Sequence, residues 1–185
     1  MPGAGILEKN KKMEQELVIL VDEYDNELGV MEKQEAHVKA LLHRAFSILI
    51  FNSKGELLLQ QRAVNKYHSA GLWTNTCCSH PRPGETTEQS AHRRLQEEMG
   101  FDCELILQKK FIYKTTFSNG LSEHELDYVF TGIYDETPAF NPEEVKNIKW
   151  MSPTHLSEDL LVQPDTYTEW FKIIMDNYLH PDLGA

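Results

Sequence analysis

Residues 79–101 read SHPRPGETTEQSAHRRLQEEMGF, and this stretch organises the chain around it. Pro81 and Pro83 interrupt regular structure twice, because proline lacks a backbone donor and restricts its predecessor. Thr86 or Thr87 then caps a helix whose apolar stripe, Ala91, Leu95 and Met99, recurs every four residues. Gly100 is a natural stop, since a left-handed cap needs no Cβ. Arg93 with Glu97, and Arg94 with Glu98, pair along other faces of the same helix.

Strand signals flank it on both sides. Upstream, Leu17 to Val21 is an apolar run, and Asp25-Asn26 with Gly29 supplies turn chemistry for a hairpin. Glu32 to Leu42 reads as a weakly amphipathic helix. Ala45 to Phe51 reads as a strand, turned by Asn52-Ser53-Lys54-Gly55 into Leu57-Leu58-Leu59. Residues 67–71 read as loop, and Leu72 to Cys78 as one extended segment. Downstream, Leu105 to Phe117 and Leu126 to Tyr134 read as strands on either side of a Ser118-Asn119-Gly120 turn, followed by a strand at Val145 to Met151; which strands pair is left open by the pattern. Ser152-Pro153 starts a helix that Pro164 closes. Thr166 and Glu169 have capping-box spacing for a last helix carrying Trp170, Ile174 and Tyr178. Strands interleaved with helices make a single α/β (α+β) domain over residues 17–180, between a leader at 1–16 and a tail at 181–185.

The 185 residues carry 29 acidic and 18 basic side chains, a formal charge of −11. That field repels nucleic acid and anionic membrane, so neither is expected as a partner. A few focused cations still suffice for a small phosphorylated substrate. Cys77, Cys78 and Cys103 are an odd set without a disulfide framework, which suits a reducing, cytoplasmic setting. No secretory signal or apolar run long enough to span a membrane is visible. Oligomeric state is not legible; a monomer is expected and a homodimer stays open.

The reactive groups fall in pairs. On an extended segment Cys77 and Cys78 face opposite ways, and Cys78 shares a face with His80. Buried cysteine is ordinarily a small hydrophobe; the shared face with His80 marks Cys78 as the polar-facing thiol and Cys77 as packing. Similarly, Glu123 and Glu125 face one way and His124 the other. A solvated edge strand explains two such carboxylates without further cost. The competing explanation is a divalent metal, with His37, His43 and His80 as nitrogen donors and five or more N/O ligands in total, suited to Mn²⁺, Mg²⁺, Fe²⁺ or Zn²⁺. Lys33, Arg62, Lys66 and Arg94 are ordinary surface cations unless they converge on a diphosphate. Tyr113 and Trp170 are ordinary core unless they line an apolar cavity.

Glu85 followed by Arg93-Arg94-Leu95-Gln96-Glu97-Glu98-Met99-Gly100-Phe101 resembles the second half of a Nudix box. The pattern departs at its opening glycine, here Ser79, and at the first glutamate of its core, here Arg94. The second departure reverses the charge of a group that Nudix hydrolases use for metal and water. Three further segments, Leu42-His43-Arg44-Ala45-Phe46-Ser47, Trp73 to Pro81 (WTNTCCSHP) and Ser122-Glu123-His124-Glu125, resemble the type I isopentenyl-diphosphate isomerases, from about Val18 to beyond Trp170.

The resemblance implies a Nudix-like sandwich of mixed β-sheets flanked by helices, and interconversion of isopentenyl and dimethylallyl diphosphate. By motif position Cys78 matches the essential thiol, Glu125 the carboxylate across the substrate, and Tyr113 its assisting tyrosine. His37, His43, His80, Glu123 and Glu125 match the ligands of a first divalent metal, Mn²⁺, Zn²⁺ or Mg²⁺. Glu98 matches the side-chain ligand of a diphosphate-linked Mg²⁺, with a backbone carbonyl near Cys78 assisting. Lys33, Arg62, Lys66 and Arg94 match the diphosphate-facing cations, and Trp170 the aromatic over the hydrocarbon. No flavin is implied.

Overall fold

The computed structural model describes residues 16–66 and 68–179. Of the expected leader only Glu16 is therefore described, and Tyr67 of the expected loop, residue 180 and the 181–185 tail lie outside. β1 (Leu17–Val21) and β2 (Glu27–Glu32) form an antiparallel hairpin. Its turn is tied by Asp22, whose carboxylate accepts from the Tyr24 and Asn26 backbone N–H groups at 2.9 Å. Gly29 thus sits inside β2 and not in the turn. α1 (Lys33–Lys39) is capped by the Glu32 side chain and ended by Ala40 in the left-handed conformation, short of Leu42.

β3 (His43–Phe51) and β4 (Leu57–Arg62) pair only at Phe51 and Leu57, then diverge. Into the gap comes the segment expected to be one strand. It is two: β5 (Trp73–Thr74) on β4 and β6 (Cys77–Ser79) on β3. Asn75 and Thr76 break it because their side chains take over backbone pairing. The Asn75 amide donates to the Ile48 and Cys77 carbonyls (3.3 and 2.7 Å). The Thr76 hydroxyl donates to the Leu58 carbonyl (2.6 Å) and accepts from the Ile50 N–H (2.9 Å). Groups orphaned by the divergence are thereby satisfied.

α2 (Thr87–Met99) opens with a reciprocal capping box between Thr86 and Gln89 and ends at Gly100, φ 74°. A Cβ at Gly100 would stand 2.1 Å from the Ala139 carbonyl oxygen, so both conformation and space demand glycine. β7 (Ile106–Thr116) and β8 (Ser122–Ile133) form the long hairpin, with β8 starting at Ser122 and not Leu126. β9 (Val145–Met151) pairs with β4, and α3 (Pro153–Val162) follows its Ser152 cap. α4 (Glu169–Leu179) begins at Glu169, so the expected cap residue, Thr166, lies in the preceding turn and not next to the helix. Thr166 closes a 3₁₀ turn and its hydroxyl donates back to the Gln163 carbonyl, while Thr168 is drawn to Thr74.

β3 is the hub. It runs parallel to β8 along its whole length and antiparallel to β6. Alternating β3 residues feed two cores: Phe46, Ile48 and Ile50 pack toward Ala91, Leu95 and Met99 of α2, with Cys77 among them. Leu49, with Leu57 and Leu59, packs toward Trp170, Phe171 and Ile174 of α4. The result is a mixed sheet between helices. No helix among the described residues is long and apolar enough to cross a membrane.

Candidate active site

Strand register assembles the site. Parallel pairing sets His43 beside Glu125, the β7–β8 hairpin sets Tyr113 beside Glu125, and β6 sets Cys78 beside Ser47. Because side chains alternate, these groups share one sheet face, while Cys77 is fully buried in the α2-side core. His124 points away, its Nδ1 donating to the Ala40 carbonyl (3.0 Å).

The ligand atoms of His37 (from α1), His43, His80 and Glu125 lie within 4.8 Å of one another. His80 Nε2 is 2.8 Å and His43 Nε2 3.4 Å from Glu125 Oε1. The His43 Nδ1–H is committed to the Leu41 carbonyl (2.8 Å), which leaves Nε2 as the ring's ligand atom; it is buried and without a hydrogen-bond partner. Burial, reinforced by His80, pulls His37 down to about 3, and burial also lowers His80 against the pull of Glu125. Neutral imidazoles around a carboxylate fit a divalent cation of the Zn²⁺, Mn²⁺ or Mg²⁺ kind. Glu123 stands outside this foursome. Its carboxyl meets the Tyr113 hydroxyl (3.3 Å) and faces His68 Nε2 (3.8 Å).

The proton-bearing groups adjoin this cluster. The Tyr113 hydroxyl donates to Glu125 Oε2 at 2.7 Å. Burial and the Glu125 charge push Glu123 well up, favouring its neutral form. Burial opposes ionisation of Glu125 too, but the adjoining His43 and His80 rings hold it well below the usual carboxylate range. Burial also pushes the Cys78 thiol well up, partly offset by Arg62. Thiol, tyrosine and two carboxyls thus hold protons of very different affinity within one enclosure.

That enclosure has two parts. An inner chamber of about 60 Å³ is lined by Cys78, Tyr113, Glu123, Glu125, His68 and Trp170, among others. An outer groove of about 640 Å³ is lined by Lys33, Arg62, Lys66, Arg94 and Glu98. Lys33, Arg62, Cys78, Ser79 and His80 line both and so mark the mouth between them. The cations are held by carboxylates: Lys33 by Glu16 (3.1 Å), Lys66 by Glu144, and Arg94 by Glu97 (2.7 Å), Glu98 and Glu144. Arg62 lies over the Trp170 ring (5.1 Å). Glu98 also accepts from the Gln60 amide (2.9 Å).

Every site residue singled out from sequence lines the chamber, the groove or the histidine–carboxylate cluster. Sequence reasoning missed His68, Glu16, Glu144 and Asp127. The last is buried two positions from Glu125 and accepts from Ser47 (2.8 Å). Asp127 continues the Glu123–Glu125 alternation and was legible by that period; the other three are brought in by tertiary contacts alone.

A buried imidazole–carboxylate cluster beneath a cationic groove, on a mixed sheet between helices, is an arrangement able to hold a divalent cation beside an anionic ligand. Residues 41–171 match the NUDIX domain family. The crystal structure of DR0079 from Deinococcus radiodurans superposes with a TM-score of 0.72 at 22% identity, covering 88% of this chain and 99% of that one. A Pectobacterium atrosepticum protein named isopentenyl-diphosphate Delta-isomerase is 53% identical over 84% of this chain and 87% of its own length. Photorhabdus laumondii isopentenyl-diphosphate Delta-isomerase 2 is 51% identical over 91% and 95% respectively. The chain belongs to the isopentenyl-diphosphate Delta-isomerase family of NUDIX-domain proteins.

Proposed function

We propose that the protein interconverts isopentenyl and dimethylallyl diphosphate by moving one proton on and one proton off the five-carbon unit. The observation that carries this reading is that Cys78 and Glu125 line one small chamber whose mouth is cationic. The diphosphate lies in the groove against Lys33, Arg62, Lys66 and Arg94, displacing the carboxylates that now hold three of them. The alkene enters the chamber.

The Glu125–Tyr113 pair delivers a proton to C4, the C3–C4 π electrons forming the new C–H bond and leaving tertiary cationic character at C3. Cys78 takes a proton from C2, and that C–H pair becomes the C2–C3 double bond. The diphosphate stays attached throughout. In the reverse direction the roles exchange. Because His43 and His80 favour ionised Glu125, its proton is one shared with Tyr113 and Glu123 through the hydrogen bonds linking the three. Burial favours the Cys78 thiol, and Arg62 is the neighbouring charge that opposes this in part. Trp170 presents a π-face to cationic carbon, worth about 0.5–2 kcal/mol.

His37, His43, His80 and Glu125, with Glu123 alongside, would hold Mn²⁺, Zn²⁺ or Mg²⁺, and Glu98 a Mg²⁺ accompanying the diphosphate. Bound there, such ions supply electrostatic stabilisation of the carboxylate and of the phosphate charge.

The test is to incubate purified protein with isopentenyl diphosphate and Mg²⁺ and follow the phosphorus spectrum. Dimethylallyl diphosphate with no free phosphate is expected. Release of phosphate or monophosphate would instead make the protein a Nudix hydrolase, against the charge reversal at Arg94. Arg94→Gln should raise KM by about 10- to 100-fold with a smaller change in kcat, since a charge-assisted contact to phosphate is lost in ground and transition states alike. Steady-state kinetics check this; an unchanged KM would contradict the role.

A further inference from the structure

The inner chamber has a neighbouring cavity. A cavity of about 400 Å³, lined by Leu72, Thr116, Phe117, Asn119, Tyr167 and Glu169 among others, opens between the β7–β8 turn and the approach to α4. Among the described residues, His68 alone lines both it and the inner chamber. The His68 side chain is only 7% exposed. Its ring stacks on Phe117 (centroids 5.2 Å apart, planes 20°) and meets Trp170 edge-on (5.7 Å, 90°). One imidazole, wedged between two aromatic rings, is thus the wall between a chamber of about 60 Å³ and a space several times larger.

The geometry points to His68 as a specificity-determining partition that limits the hydrocarbon of the substrate to five carbons. This rests on the isomerase reading above. The diphosphate lies in the groove, whose lining lacks His68, so the part of the substrate that meets this ring is the hydrocarbon in the chamber. A methyl group fits in front of the ring, whereas a longer alkyl group needs the space behind it. Rejection is steric, because packed side chains on both sides of the imidazole prevent it from swinging aside.

The test compares isopentenyl diphosphate with 3-propylbut-3-enyl diphosphate, the analogue bearing propyl in place of the C3 methyl. His68→Ala should raise the ratio of kcat/KM for the propyl compound over the methyl compound by about tenfold or more, the scale at which a pocket discriminates by added methylenes. His68→Phe, which keeps the bulk and removes the imidazole nitrogens, should leave the ratio near wild type. An unchanged ratio in a folded His68→Ala protein would overturn the partition. So would a His68→Phe shift as large as that of alanine, because the discrimination would then lie in the imidazole's polarity. If His68→Ala does not fold, Phe117→Ala withdraws the ring behind His68 and should raise the ratio severalfold; no rise there overturns the proposal equally. Wild-type turnover of isopentenyl diphosphate in the same assay separates the two levels. Its absence overturns the isomerase reading and the partition with it; its presence with an unchanged ratio overturns the partition only.

Discussion

Cys78→Ala is expected to lower kcat by about 10³- to 10⁴-fold while substrate binding persists, the scale of removing a positioned proton-transfer group. The neighbouring Cys77→Ala should lower kcat far less. The two thiols are adjacent in sequence yet belong to different environments. Cys78 lines the chamber with Tyr113 and Glu125, whereas Cys77 is fully buried among Phe46, Ile48, Ala91 and Leu95. Loss of the Cys77 sulfur therefore reads out as a lower melting temperature from the void it leaves, not as lost proton transfer. Steady-state kinetics together with thermal melts distinguish the two effects. Equal catalytic losses in two folded variants would contradict the assignment of the faces.

Glu125→Gln should lower kcat by about 10²- to 10⁴-fold, because the amide keeps the shape of the carboxyl but cannot exchange the proton. Two further consequences set this residue apart. The carboxylate is the only anionic member of the foursome with His37, His43 and His80, so bound divalent metal, measured on the purified protein, should fall as well. The Tyr113→Phe variant removes only the hydroxyl that donates to Glu125 at 2.7 Å and should therefore lose less activity while keeping its metal. A Glu125→Gln protein with undiminished turnover would exclude the carboxyl from proton delivery.

Much of this site was legible because strand alternation is local. Glu123 and Glu125 on one face with His124 opposite, and Cys77 opposite Cys78, follow from a period of two and hold in the structure. The α2 helix was legible in its apolar stripe and its stop at Gly100, while the choice of Thr86 over Thr87 as cap, with its reciprocal partner Gln89, came from the structure. What could not be read is long-range pairing. Nothing near His43 announces that it will lie beside Glu125; only parallel pairing of β3 with β8 does that. The expected strand at Leu72–Cys78 fails for a related reason. Asn75 and Thr76 act as side-chain substitutes for a sheet that splits there, and the split belongs to β3 and β4. His68 lies in a polar stretch without periodicity, and its position in the chamber wall is set by Phe117 and Trp170, far along the chain.

The claim on which the account depends is that one base and one acid work from fixed positions around the alkene. Isopentenyl diphosphate labelled with deuterium at a single prochiral position of C2 tests it, using both stereoisomers and following the first turnover in D₂O by NMR. One stereoisomer should lose its C2 label completely and the other keep it, with solvent deuterium entering a single methyl group of the product. Loss of label from both stereoisomers to the same extent would contradict it.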